Sequence, residues 1–138
     1  MKLYPPQLSP THQSGTLLYD LVCAQQQDEE EICGMLYQNE TLEDFQGSNL
    51  ELKNCVLRGC TFSNCRMDNL SLVDVLLENC NLSACQLHDL ASQQVRFRSC
   101  KLLGTNFSQS LFQNTAFLGC NLRYASLACS KYKAVSFN

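Results

Sequence analysis

The sequence predicts an all-β solenoid, and three observations predict it. Large apolar residues recur every five positions, a small or aliphatic residue stands two before each of them, and a turn-forming residue stands two after. Counted from Leu52, the first series reads Leu52, Leu57, Phe62, Met67, Leu72, Leu77, Leu82, Leu87, Ser92, Phe97, Leu102, Phe107, Phe112, Phe117, Leu122, Leu127, Tyr132 and Phe137, and seventeen of the eighteen are large and apolar. Allowing five phases, chance produces such a run about 10⁻⁵ to 10⁻⁴ of the time. The second series, including Cys55, Cys60, Cys65, Leu70, Val75, Cys80, Thr105 and Val135, contains no charge. The third is occupied by Asn54, Gly59, Asn64, Asn69, Asp74, Asn79, Asp89, Gly104, Asn114 and Gly119 among others. Those residue types accept left-handed or tight backbone geometry. A helix advances its face by about 140° net over five residues, so the apolar row would spiral around it. A continuous strand would send alternate members of the row to opposite faces. A chain that turns a corner every five residues meets all three constraints, with each unit reading small-in, outward, large-in, outward, turn.

The units CTFSN (60–64), CNLSA (80–84), TNFSQ (105–109) and CNLRY (120–124) resemble the pentapeptide-repeat family, over about two thirds of the chain. The resemblance implies a right-handed quadrilateral β-helix, with four pentapeptides and hence 20 residues per coil. Residues twenty apart then stack into columns: Leu57, Leu77, Phe97, Phe117, Phe137; Phe62, Leu82, Leu102, Leu122; Met67, Leu87, Phe107, Leu127; and Leu52, Leu72, Ser92, Phe112, Tyr132. Residues 52–137 make about four coils and a rod near 20 Å long at the inter-strand spacing of about 4.8 Å. Such a prism has no room for a central cavity.

Three segments follow. Residues 1–31 form an N-terminal strap and cap: Tyr4, Pro5 and Pro6 read as an extended strap, and Thr16–Gln26 places Leu17, Leu18, Leu21 and Val22 on one side of a short capping helix. Residues 32–51 continue the phase through Ile32, Tyr37 and Leu42 as an irregular first coil, because Gly47 stands where a large residue belongs while Phe45 and Leu50 point to another register. Residues 52–138 are the regular β-helix. A solenoid needs covered ends, and the last repeat breaks off at Ser136, Phe137, Asn138. Family members often end in a helix or dimerise there, so the expectation is a homodimer through the C-terminal coil or a shortened form of a longer repeat protein.

A chain of 138 residues is one domain's worth. It contains no run of about 18 apolar residues, and MKLYPPQLSP lacks the apolar core of a secretory leader. The expectation is a cytoplasmic protein, away from membranes, with its ten cysteines reduced. Cys60, Cys80, Cys100 and Cys120 lie one coil apart and form an inward ladder. Parallel in-register Cβ atoms near 4.8 Å suit neither a disulfide nor tetrahedral zinc, so these thiols are expected to pack as small hydrophobes. Cys129 has a corner phase and is the candidate exposed thiol.

His12 and His88 have no phase-matched nucleophile or acid, and His88 should point outward beside Asp89. Ser92 interrupts its column, and a local bulge over Ala91–Gln94 is one expectation, compensation by Phe112 the other. There is no P-loop, Rossmann glycine pattern or metalloprotease motif, so no catalytic residue, cofactor or metal is expected. Charge is uneven: residues 1–89 carry all 13 acids and four bases, net −9, and residues 90–138 carry six bases and no acid, net +6. The favoured function is a non-catalytic protein-interaction module displaying Arg58, Arg66, Arg96, Arg98, Lys101 and Arg123. The alternative taken from the resemblance is a DNA-mimic that binds and protects DNA gyrase and topoisomerase IV. That needs acids along the rod, and the second half is basic. Direct nucleic-acid binding is not expected.

Overall fold

A computed structural model of the chain describes residues 3–26 and 31–138. Of the acidic run Asp28, Glu29, Glu30 and Glu31, expected to be a solvated approach to the first coil, only Glu31 lies within these residues. Elements run in the order β1 (Gln13–Ser14), α1 (Leu17–Gln26), β2 (Ile32–Cys33), β3 (Met35–Gln38), β4 (Thr41–Glu43), β5 (Gln46–Ser48), β6 (Glu51–Arg58), β7 (Thr61–Ser63), β8 (Arg66–Asp68), β9 (Ser71–Glu78), β10 (Ala91–Arg98), β11 (Leu111–Leu118) and β12 (Lys131–Phe137).

Corner geometry sets the architecture. Every fifth residue from Gly34 to Ala134 has a positive φ, between 48° and 74°. Asn and Asp carry this conformation at little cost, and other L-residues pay about 1 kcal/mol or more. Gly34 has open space around it, φ +74°, and no atom within 4 Å of a built Cβ. Gly34→Val should therefore cost about 1–2 kcal/mol through the backbone alone, whereas Gly34→Asn should cost less than about half of that. Urea midpoints of the two variants check this, and equal midpoints would count against it.

Between corners the coils pair in parallel with a uniform offset of twenty. Leu52 lies beside Leu72, Leu72 beside Ser92, Ser92 beside Phe112 and Phe112 beside Tyr132. The long strands β6, β9, β10, β11 and β12 each cover two sides of the square around a corner such as Asn54. The first side holds 51–53 and its equivalents, and the second holds 56–58. The third side stacks β4 on β7 and continues through bridges Thr61–Asn81, Asn81–Lys101 and Lys101–Asn121; the fourth stacks β5 on β8 and continues through Gln86, Asn106 and Ser126.

The small inward position does more than save space. Its side chain donates to the carbonyl of the large residue 23 positions earlier, in the coil below. Cys80 Sγ lies 3.4 Å from Leu57 O, Cys85 Sγ 3.4 Å from Phe62 O, Cys100 Sγ 3.4 Å from Leu77 O, and Thr105 Oγ1 2.7 Å from Leu82 O. A weak S–H donor thus meets a carbonyl that burial would otherwise leave short of partners.

Several expectations are corrected. No bulge occurs at Ala91–Gln94, since Ala91, Ser92 and Gln93 hold the common register. Ser92 is buried, and its hydroxyl meets Thr115 Oγ1 at 2.8 Å, which satisfies a polar group in an apolar column. The backbone over 32–51 keeps the twenty-residue offset, so the irregularity there is one of side chains: Gly47 pairs with Met67 and has Gln25 of α1 against it, with the Gln25 carbonyl oxygen accepting from Ser48 N at 2.8 Å. The cap buries Leu17, Leu21 and Ala24, a spacing of four then three, and leaves Leu18 and Val22 exposed. A small apolar void of about 30 Å³ lies under α1, among Leu17, Leu21, Leu52, Leu57 and Leu72.

The first residues run along the corner between the first and second sides. Pro5 O accepts from Gln94 Nε2, Gln7 N donates to Asp74 Oδ1, and Ser9 N donates to Asn54 Oδ1. Past β1, the Glu40 carboxylate accepts from Leu17 N at the start of α1, where the helix dipole favours an anion. Tyr37 O–H donates to Asp20 Oδ2 at 2.6 Å. The N-terminal segment is thereby tied both to the corner of three coils and across the lower end of the shaft.

Candidate interaction surface

Inward positions are committed to the shaft, so chemistry available to a partner lies on the outward positions and corners. The six basic residues singled out above fall on three sides. Arg58, Arg96 and Arg98 share the second, Lys101 and Arg123 the third, and Arg66 stands on the fourth. On the second side Glu78 bridges two of them, with Arg58 Nε at 3.1 Å and Arg98 Nη1 at 3.2 Å. Arg66 Nε meets Asp68 Oδ2 at 2.8 Å. Such half-exposed pairs contribute about 0–1 kcal/mol each, and their main effect is to hold the guanidinium groups in place. Arg123 lies over the Tyr124 ring, 5.6 Å from its centroid. Among the described residues, no ion pair engages Arg96, Lys101 or Arg123.

Cys129 occupies a corner, φ 59°, and is exposed. Cys33 is a second exposed thiol, which the phase of the first coil could have revealed: it stands outward between inward Ile32 and corner Gly34. The ladder sulfurs Cys60, Cys80 and Cys100 are buried, and Cys120 is partly so. His88 Nδ1 lies 2.9 Å from Ser108 Oγ, and His12 Nε2 3.2 Å from Asn54 Oδ1, so the two rings stand on different sides. Among the described residues, no three His, Cys, Asp or Glu side chains gather as metal ligands would.

Cys55, Cys60, Cys65, Cys85 and Tyr37 resist ionisation, whereas contact with the Cys100 sulfur lowers Cys80 and Cys120. Burial pushes Cys55 and Cys65 up, and Cys85 up to about 12. Contact with the Cys80 sulfur, then burial, raises Cys60. Burial, then the Asp20 carboxylate, raises Tyr37. A group whose folded pKa is raised contributes stability that is present below its unfolded pKa and lost as pH rises beyond it. The unfolded references are 9.0 for the thiols and 10.0 for Tyr37. The contribution of these five raised groups should therefore be level up to about pH 8.5 and fall steadily through pH 9–11. Thermal melts across that range check the sign, and a protein as stable at pH 10.5 as at pH 7 would contradict it.

The family model described as the SV2A/B/C luminal domain matches residues 35–127, which is more than half of the chain. The chain belongs to that family. No curated protein matches it in sequence. In structure it is similar to a pentapeptide repeat protein from the cyanobacterium Cyanothece 51142, with TM-score 0.59 and 13% identity over 88% of this chain and 99% of that one. It is also similar to a pentapeptide repeat protein from the Arabidopsis thaliana thylakoid lumen, with TM-score 0.52 and 22% identity over 70% of this chain and 63% of that one. At these identities the likeness is one of fold. The fold is the right-handed quadrilateral β-helix of pentapeptide-repeat proteins. No helix among the described residues is long and apolar enough to cross a membrane.

Proposed function

We propose that this β-helix is a non-catalytic protein-interaction module that presents its second side, with Arg58, Arg96 and Arg98, to an acidic protein partner. Lys101 and Arg123 on the adjoining side and Arg66 on the fourth extend the positive field. One observation carries the reading: Glu78 holds Arg58 and Arg98 from the two neighbouring coils, so a rigid backbone displays guanidinium groups at fixed spacing. Fixed donors lose little conformational entropy on binding. Arg96→Glu with Arg98→Glu should reduce partner recovery at least about 10-fold in quantitative affinity capture. Equal recovery by the wild type and the double variant sinks the proposal.

Cytoplasmic placement belongs to the same reading and rests on the thiol-rich sequence, whose ladder spacing suits packing rather than bridging. The matching family is described as a luminal domain, so cell fractionation decides: recovery inside a lumen overturns the cytoplasmic placement and leaves the interaction module standing. The gyrase-protecting alternative is weakened by the six bases and absent acids of residues 90–138. Failure to protect in a quinolone-challenged supercoiling assay at stoichiometric excess discards it. Pairing through the C-terminal coil would cover the exposed rings of Tyr132 and Phe137, which stack on Phe112 at 5.7 Å and on Phe117 at 5.0 Å.

A further inference from the structure

We infer that the edge between the third and fourth sides joins two copies of this chain antiparallel, about a two-fold axis at Ala84. This goes beyond the proposed partner surface, which centres on the second side and shares only Arg123 with the contacts used here.

The corner residues of this edge are Asp44, Asn64, Ala84, Gly104 and Tyr124, one coil apart. Its two ends are chemically opposite. At the lower end, Glu43 and Asp44 are exposed and adjoin a recess beside Leu18 and Val22 of α1, the apolar pair that the cap leaves in solvent. At the upper end Tyr124 is 81% exposed, with Arg123 over its ring and Leu103 exposed one coil below. Between the ends the corner residues Asn64, Ala84 and Gly104 are small or lack a side chain, flanked by Ser63 and Ser83 on the third side and by Arg66, Gln86 and Asn106 on the fourth.

Ala84 is midway, two coils or about 10 Å from each end. A two-fold axis there superposes the level of residue 44 on the level of residue 124, and 64 on 104. Arg123 of one copy then faces Glu43 and Asp44 of the other while Tyr124 enters the recess beside Leu18 and Val22, and the same contact is repeated at the opposite end. This is an isologous arrangement, in which a single patch complements itself. A parallel alignment would instead lay acid on acid and base on base. The Tyr124 rings provide an aromatic anchor at each end of the contact, a residue type enriched among those that dominate interfaces. Arg66, the base that flanks the lower half of this edge on the fourth side, is already paired with Asp68.

Sedimentation equilibrium of the full chain tests this directly. The wild type should be a concentration-dependent dimer that weakens at least about 5-fold between 0.05 and 0.5 M salt. Glu43→Arg alone and Arg123→Glu alone should each weaken association at least about 10-fold, and an equimolar mixture of the two should recover it, because both contacts of the mixed dimer are then complementary. Ala84→Arg puts two like charges on the axis and should leave a monomer, while Tyr132→Asp, on the C-terminal coil, should leave the dimer intact. These positions are exposed, and unchanged thermal melts will show that the variants fold. A monomeric wild type, a dimer that survives Ala84→Arg, or a mixture that fails to associate overturns the inference. So does a dimer lost in Tyr132→Asp, which assigns pairing to the last coil. Ala84→Arg and Glu43→Arg leave Arg58, Arg96, Arg98 and Arg123 unchanged, so partner capture measured with these two variants lets the two proposals fail separately.

Discussion

Brief alkylation of the native protein is expected to modify Cys33 and Cys129 to completion while Cys55, Cys60, Cys65, Cys80, Cys85 and Cys100 stay unmodified. The two exposed sulfurs are open to the reagent without any movement of the shaft. The six buried ones need an opening of the shaft that separates stacked coils, because each lies inside the square with its S–H directed to a carbonyl of the coil below. Opening of packed structure costs several kcal/mol, so the contrast in rate should be at least about 10³-fold. Cys23 and Cys120, half-buried, should fall between the two groups. Peptide mapping by mass spectrometry after timed quenching reads all ten positions together, and labelling in denaturant supplies the reference. Uniform modification of the ten would mean that the coils do not enclose the ladder.

The same sulfurs show how far the residues alone carried the reading. The five-residue phase was enough to place Cys60, Cys80, Cys100 and Cys120 at inward positions, and the twenty-residue coil implied by the family resemblance put them in one column. The phase also placed the six basic residues outward, but their division among three sides came from the coil, in which 58 and 98 share a side that 66 does not. What the phase could not show is why so many members of the small column are Cys, Thr or Ser. That preference comes from the carbonyl one coil below, a partner 23 residues away that exists only once the coil has closed.

The N-terminal contacts were illegible for a related reason. Gln7 reaches Asp74 and Gln94 reaches Pro5 across 67 and 89 residues, and nothing periodic in Tyr4–Pro10 announces which corner will receive it. The helix was legible as a helix, but its buried stripe was misjudged: Leu17, Leu18, Leu21 and Val22 look like one face. Packing on a flat coil end selects Leu17, Leu21 and Ala24 instead, because the Glu40 cap and the Tyr37–Asp20 hydrogen bond set the rotation of α1. The candidate surfaces were legible as charges and not as shapes. Only the small corner residues Asn64, Ala84 and Gly104 between an acidic and a basic end make one edge self-complementary.

Phe97→Ala should be the most damaging single substitution in the shaft. Its ring is 1% exposed, stacks on Phe117 at 4.8 Å with planes 5° apart, and meets Phe107 edge-on at 6.3 Å. Truncation removes the transfer energy of a buried aromatic side chain and leaves a cavity that neighbouring coils, fixed by their own pairing, cannot fill. The expected loss is about 3–5 kcal/mol. Phe137→Ala, in the same column but half exposed at its upper end, should cost no more than about 1–1.5 kcal/mol. The contrast bears on cooperativity as well as stability. In a solenoid each coil contacts only its neighbours, so total stability is nearly a sum of coil-to-coil terms. A defect at the level of Phe97 weakens the junctions with Leu77 below and Phe117 above together. Hydrogen exchange in Phe97→Ala should then show amides beyond residue 100 losing protection before those of 51–78, where the wild type opens as a unit. Equal loss in both halves would mean that the shaft transmits the defect along its whole length, and that the coils are coupled more strongly than nearest-neighbour packing provides.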